Sequence, residues 1–315
     1  GVFILFFLFI LILISLFIFF TFYREKKINK KSFFFSKETS ILLNNCFMMY
    51  FLSVVLIGTI YPIFLEVIIN EKISVGPPFY NKLLIPFLLP FLLLITIGPN
   101  MKWINHKFKL INFKLILLFV LSSFISYVIL SKTEINTLFT TILITFSIYA
   151  LFSTLKDFFV ENNKNISQKV SHFGFCLLIL SIIINGIFSE EVITNIKVGE
   201  NYKFNKGNIY FEKINTVEKK NYTSIIGIFK INEDNKEMLF NPELRIFKKP
   251  VTITSEADIK TSLIKDKFLV MNLVKGDNYF NVRYQTKPFM MWIWLSATLM
   301  GIGALINFLR KNYYE

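Results

Sequence analysis

The sequence predicts a mostly α-helical membrane protein, with about seven transmembrane helices and a small outward-facing β-barrel or sandwich domain inserted before the last helix. Three observations carry that prediction. Seven long apolar runs recur along the 315 residues, of which 54% are hydrophobic and 38 are Phe. A soluble chain of this size does not easily hide so much apolar surface. Basic residues gather in alternate connections between the runs, as membrane topology requires. The stretch 189–288 abandons the continuous apolar pattern for short alternating runs, which is a strand signal.

The spans follow from length, since a membrane-crossing helix needs about 20 apolar residues. They are expected at 2–22, 41–65, 83–97, 110–130, 138–155, 170–188 and 289–309. The third contains Pro86 and Pro90, so a kinked helix is expected. Neighbouring helices can satisfy the carbonyls that proline frees. The connection 23–40 holds Arg24, Lys26, Lys27, Lys30, Lys31 and Lys37, and the connection 100–114 holds Lys102, Lys107, Lys109 and Lys114. Lys156, Lys164 and Lys169 follow the fifth run, and Arg310 and Lys311 follow the last. The intervening short loops hold mainly Lys72 and Lys132. The positive-inside rule therefore places the first group in the cytoplasm or matrix and 189–288 on the opposite side. The net charge of +14 reads as this topology, with no nucleic-acid partner expected. Residue 1 is Gly and an apolar run begins at once, so the N-terminal portion of a longer protein is expected to be missing. The expected organisation is a six-span bundle over 1–188, a β domain over 189–288, and a last helix with a short tail over 289–315.

Within the β domain, NYKF, NIYFEKI, SIIGIFKI and EMLFNPELRIF are broken by NKGN, NEDN and KGDN. These are strand and turn signals, and the Tyr, Phe and Ile of the strands are expected to share one core. A short helix is expected at 256–264.

His172, in KVSHFGFCLLILSIIINGIF, is the principal candidate for function. An ionisable ring at membrane depth is costly and marks a functional position by default. Three readings stand for it: an interfacial ring bonded to a backbone carbonyl, an axial ligand of haem iron, or a proton relay. Imidazole ligates haem iron well. A relay needs several acidic groups, and the expected spans hold essentially only edge residues such as Glu38 and Glu66. Gly174, two residues on, leaves room for a flat macrocycle or for another helix. The other histidine, His106, lies in the basic loop MKWINHKFK and reads as an interfacial residue. The methionines offer no compelling second axial ligand. Cys46 and Cys176 both fall in apolar runs and read as core thiols. No Cys-x-x-Cys-His occurs, so the chain does not itself carry covalent haem. The Gly76–Pro77–Pro78 loop is either a rigid partner contact or an ordinary turn. Trp292 and Trp294 read as an aromatic belt. Glu243 and Arg245 share a strand face, where a local ion pair is the default and an Arg meeting a haem propionate is the alternative. No Gly-rich phosphate loop, nucleophile elbow or metal-spaced carboxylate cluster is present.

These segments, taken in order, resemble a family. The opening GVFIL, SKETSILLNN at 36–45, VGPPFYN at 75–81, the GP of ITIGPNMKW, SHFGFCLLILSI, NPELRIF, TSEADI and PFMMWIWLSATLMGIGALI are similar to the C-terminal half of CcmF, the haem lyase subunit of system I c-type cytochrome biogenesis. The resemblance implies a membrane enzyme that receives haem from the chaperone CcmE. It would attach that haem to the Cys-x-x-Cys-His thiols of apocytochrome c, working with CcmH and related thiol-handling subunits. It also implies a separate haem b in the membrane, with His172 as one of its two axial histidines. The family's tryptophan-rich segment, its two outward histidines and its first membrane histidine have no counterpart here, so no catalytic residue is assigned. Phe247 stands where the family commonly has Tyr. A haem transport or export subunit and a non-catalytic assembly scaffold are the alternatives. The expected location is the bacterial inner membrane, or alternatively the mitochondrial inner membrane.

Overall fold

The structure, a computed structural model, describes residues 1–23, 36–101, 113–131, 137–160, 165–233, 236–274 and 278–311. It falls into two compact units, Gly1–Val160 and Glu161–Glu315.

The first unit is helical: α1 (Val2–Phe22), α2 (Lys37–Ile68), α3 (Pro77–Ile97), α4 (Phe113–Leu130) and α5 (Leu138–Val160), with a 3₁₀ turn at Gly98–Asn100. α1 is apolar on every side and none of its residues is buried within the chain, as expected of a helix whose solvent is lipid. α2 begins where Ser36 caps it, the Thr39 amide donating to the Ser36 hydroxyl at 3.3 Å. α3 begins at Pro77, six residues before the expected span, because Gly76 and Pro77 form a helix start. Pro86 and Pro90 both lie inside it. α4 begins at Phe113; the expected residues 110–112 lie outside the described residues.

Small residues let these helices approach. A Cβ on Gly58 of α2 would stand 2.7 Å from the Tyr80 hydroxyl and 2.9 Å from its ring, so the α3 phenol sits where that side chain would be. A Cβ on Gly98 would collide with the hydroxyl of buried Ser40. Tyr50 donates to the Leu83 carbonyl at 3.0 Å, and Ser126 of α4 donates to the Thr141 carbonyl of α5 at 3.2 Å.

Among the described residues, the second unit runs α6 (Ile166–Phe188), ten strands, then α7 (Met290–Lys311). The strands are β1 (Glu190–Ile196), β2 (Asn201–Phe204), β3 (Gly207–Glu218), β4 (Tyr222–Glu233), β5 (Lys236–Phe240), β6 (Glu243–Lys248), β7 (Val251–Glu256), β8 (Asp258–Lys260), β9 (Lys265–Leu273) and β10 (Phe280–Pro288). One sheet has the order β1-β10-β9-β8, the other β2-β3-β4-β6-β7, with β5 also on β4. Between them lies one core: Ile196, Ile209, Phe211, Phe229, Ile231, Phe240, Leu244, Leu269, Met271, Val282 and Tyr284. Phe211 and Phe229 stack at 4.1 Å between centroids at its centre. The aromatic and β-branched strand residues do share one interior, as the alternation predicts. The expected helix at 256–264 is not formed. That segment carries β8, which pairs with β9, and the Asn241 amide donates to the Asp258 carboxylate at 2.6 Å. A sheet edge takes the backbone groups that a helix would have used.

Among the described residues, six helices are long and apolar enough to cross a membrane, and the apolar part of α4, Leu115–Leu130, is shorter. The chain is a multi-pass membrane protein with a β-sandwich inserted before its last helix.

Candidate functional site

His172 lies near the start of α6 and is half-buried. Its placement is set by how α6 meets α7. A Cβ on Gly174 would stand 3.0 Å from the Ser296 carbonyl oxygen and 3.1 Å from the Met300 amide nitrogen. On α7, a Cβ on Gly303 would stand 2.9 Å from the Ser171 nitrogen and 3.0 Å from the Ser167 carbonyl oxygen. Ser167 donates its hydroxyl to the Gly303 carbonyl at 2.7 Å. Small residues at such a contact let two membrane helices pack backbone to backbone. Gly174 therefore makes room for a helix, which resolves the choice the sequence left open.

Ser167, Ser171 and Gly174 form an i, i+4, i+7 stripe that faces α7. His172 lies about 100° around the helix from Ser171. It belongs instead to the stripe that carries Cys176 and Ile183, which are 0% and 7% exposed. At the other end of α6, Asn185 donates its side-chain amide to the Pro288 carbonyl at 2.7 Å. The next residue, Phe289, turns the chain into α7 with φ 58° and donates its amide to the Ile264 carbonyl. Trp292 donates its indole N–H to the Leu263 carbonyl at 2.8 Å, so it ties α7 to the sandwich, while Trp294 is exposed as a belt residue would be.

The donor chemistry of His172 fits one axial position of a haem: an imidazole in an apolar helix, held off the helix-helix seam. One acid lies further inside a helix of the first unit than hydropathy alone implies. α5 runs past Leu155 to Val160, which brings Asp157, 7% exposed, inside the helix. Asp157 continues a buried stripe with Tyr149 and Ser153 at i, i+4, i+8, a periodicity visible in the sequence had the span not been ended at 155. His106 lies outside the described residues.

In the sandwich, Arg245 is engaged locally. Its Nε lies 3.0 Å from Glu243 Oε2, its Nη1 3.6 Å from Glu256 Oε1, and its guanidinium 5.3 Å from the Tyr222 ring centroid. The hydrogen bond to Glu243 holds its pKa above the ordinary arginine value. Phe247 packs on Tyr222 across the β4–β6 pair. A second polar cluster was not legible beforehand. Glu233, 3% exposed, accepts hydrogen bonds from Lys267 Nζ and the Tyr284 hydroxyl, both at 2.6 Å, with Lys265 Nζ at 3.9 Å. Burial pushes the Glu233 carboxyl upward, and the Lys267 and Tyr284 hydrogen bonds outweigh it, so its pKa lies below the usual glutamate range. Glu233 and Tyr284 form part of the wall of a cavity of about 570 Å³ that also borders Glu190, Val192, Tyr202 and Phe204.

Residues 187–288 match the family described as the CcmF C-terminal beta-sandwich. The cytochrome c-type biogenesis protein CcmF of Pseudomonas fluorescens is 27% identical over 295 residues, covering 88% of this chain and 44% of that protein. CcmF of Haemophilus influenzae is 26% identical, covering 89% and 46%. A solved structure of the cytochrome c haem lyase CcmF shares the fold with a TM-score of 0.67 at 19% identity, covering 87% of this chain and 46% of that one. The chain thus spans about half the length of the relatives it matches, and it resembles their C-terminal half.

Proposed function

We propose that this chain, similar over most of its length to the C-terminal half of CcmF, is part of a membrane haem lyase for c-type cytochromes. The observation that carries the proposal is the combination in one chain of the matched β-sandwich, residues 187–288, with a spanning helix that presents His172 just before it. The enzyme receives haem from CcmE and attaches it to apocytochrome c, each Cys-x-x-Cys-His thiol adding across one haem vinyl group to form a thioether. CcmH and related thiol-handling subunits are the further partners. The sandwich faces the periplasm of a bacterial inner membrane, or the equivalent side of a mitochondrial inner membrane, and the basic loops face the opposite side.

His172 would hold the iron of a haem b within the membrane. That haem, when bound, would supply one-electron chemistry. The chain's own part is to hold the imidazole at a fixed depth near the start of α6. The groups that join haem to thiol are not assigned to this chain.

The test is a spectrum of the intact lyase purified from its membrane, with and without His172→Ala. A low-spin b-type Soret band that is lost or converted to high spin in the variant is the expected result. An unchanged band overturns the ligand assignment.

A further inference from the structure

We infer that α7 is the splint that fixes the rotation and depth of His172, with Gly174 and Gly303 as its positioning residues. The inference rests on the reading of His172 as a haem ligand and extends it to residues that touch no haem.

The geometry is reciprocal. Gly174 of α6 lies against the α7 backbone at Ser296 and Met300, and Gly303 of α7 lies against the α6 backbone at Ser167 and Ser171. At both places the atoms a Cβ would meet include main chain, at 2.9–3.1 Å, so a side chain there presses on a helix backbone, and at Gly303 on the Ser171 hydroxyl as well. The Ser167 hydroxyl adds a hydrogen bond to the Gly303 carbonyl. At the far end the Asn185 amide donates to the carbonyl of Pro288, the last residue of β10, two residues before α7 begins. Ser167 and Asn185 are separated along α6 by ~27 Å of helix. A helix held at two points that far apart, by α7 at one and by the end of β10 at the other, cannot rotate or slide freely. His172 lies between the two pins, next in sequence to Ser171, which Gly303 abuts. Its bearing around the α6 axis is therefore set by the seam. α7 thus packs against α6 along the stretch that carries His172.

Gly301 makes the control. It lies on the same helix, two residues from Gly303, and a Cβ there meets nothing within 4 Å. The experiment compares Gly303→Ala, Gly174→Ala and Gly301→Ala in the intact lyase, reading haem per protein, low-spin electron paramagnetic resonance g-values and reduction potential. We expect Gly303→Ala and Gly174→Ala to lower haem affinity by roughly tenfold to a hundredfold, the range over which outer partners of a metal ligand act. The haem that remains should show displaced g-values, because those report the orientation of the axial ring. Gly301→Ala should match the unaltered protein. Ser171→Ala, added to Gly303→Ala, removes the hydroxyl that the new methyl meets and should restore part of the haem. That pair keeps the test meaningful if Gly303→Ala alone lowers the amount of folded protein. Haem content and g-values in Gly303→Ala equal to those in Gly301→Ala would overturn the inference while leaving His172 as a ligand. A band insensitive to His172→Ala would instead remove the ligand reading on which it rests.

Discussion

At the scale of single residues, Glu233 is the most consequential polar group in the sandwich. It is buried at the end of β4 and is satisfied by donors from β9 and β10, so it ties both sheets together. Glu233→Gln keeps the shape but leaves the Lys267 ammonium, only 12% exposed, without its counter-ion. Stranding a buried charge costs about 3 kcal/mol. The expected result is a loss of that order in the denaturation free energy of the sandwich; a change near zero would mean the cluster is spectator polarity. The pH dependence follows from its lowered pKa. The stability that Glu233 contributes is complete above the unfolded carboxyl's ordinary value, and it is lost as pH falls through the lower folded value. Thermal melting should therefore be insensitive to this group near neutrality and drop on strong acidification. The Gln variant should lack that part of the drop. None of this was legible in the sequence, because residues 233, 267 and 284 meet only where one sheet packs on the other. His172, by contrast, stood out at once, since a titratable ring within an apolar run needs no long-range contact to be noticed.

At the scale of elements, most of the fold was legible and the errors have local causes. Hydropathy located the apolar cores of the helices, but helix ends obey capping chemistry. Ser36 and Gly76 start α2 and α3 earlier than apolarity alone implies, and both signals were present in SKETS and VGPP. The same neglect of helix ends hid Asp157. The 256–264 segment failed differently: it has an acceptable helical composition, and the free edge of β9 overrode it. The VGPPFYN motif acquires a role here too. Gly76 and Pro77 start α3, and Tyr80, one turn on, lodges against Gly58 of α2. Gly58→Ala must displace the Tyr80 ring, and overpacking of this kind costs about 1 to 3 kcal/mol. We expect a lower melting temperature in detergent for Gly58→Ala and no change for Gly186→Ala, whose Cβ meets nothing within 4 Å. Equal melting of the two variants would show that the α2–α3 contact is loose.

At the scale of the whole molecule, the inserted sandwich has the marks of a domain that folds by itself. Its first and last strands are neighbours in one sheet: Glu190 pairs with Thr286 and Ile196 with Phe280. Entry and exit therefore lie side by side, and cutting both connections removes no strand from either sheet. Its eleven-residue core is drawn entirely from β1 to β10. The hydrogen bonds that tie it to the flanking helices, Asn185 to Pro288 and Trp292 to Leu263, lie at the end where the chain enters and leaves. We therefore expect the fragment 189–288, expressed alone, to be a soluble monomer with a β-type circular dichroism spectrum and a single cooperative thermal transition. Hydrogen exchange should be slowest in β3, β4, β9 and β10, which hold Phe211, Phe229, Leu269 and Val282. Such a fragment would also be the place to measure Glu233→Gln free of detergent. A fragment that binds hydrophobic dye and melts without cooperativity would mean instead that the sandwich depends on α6 and α7 for its packing. The seam at Gly174 and Gly303 would then support the sandwich as well as the histidine.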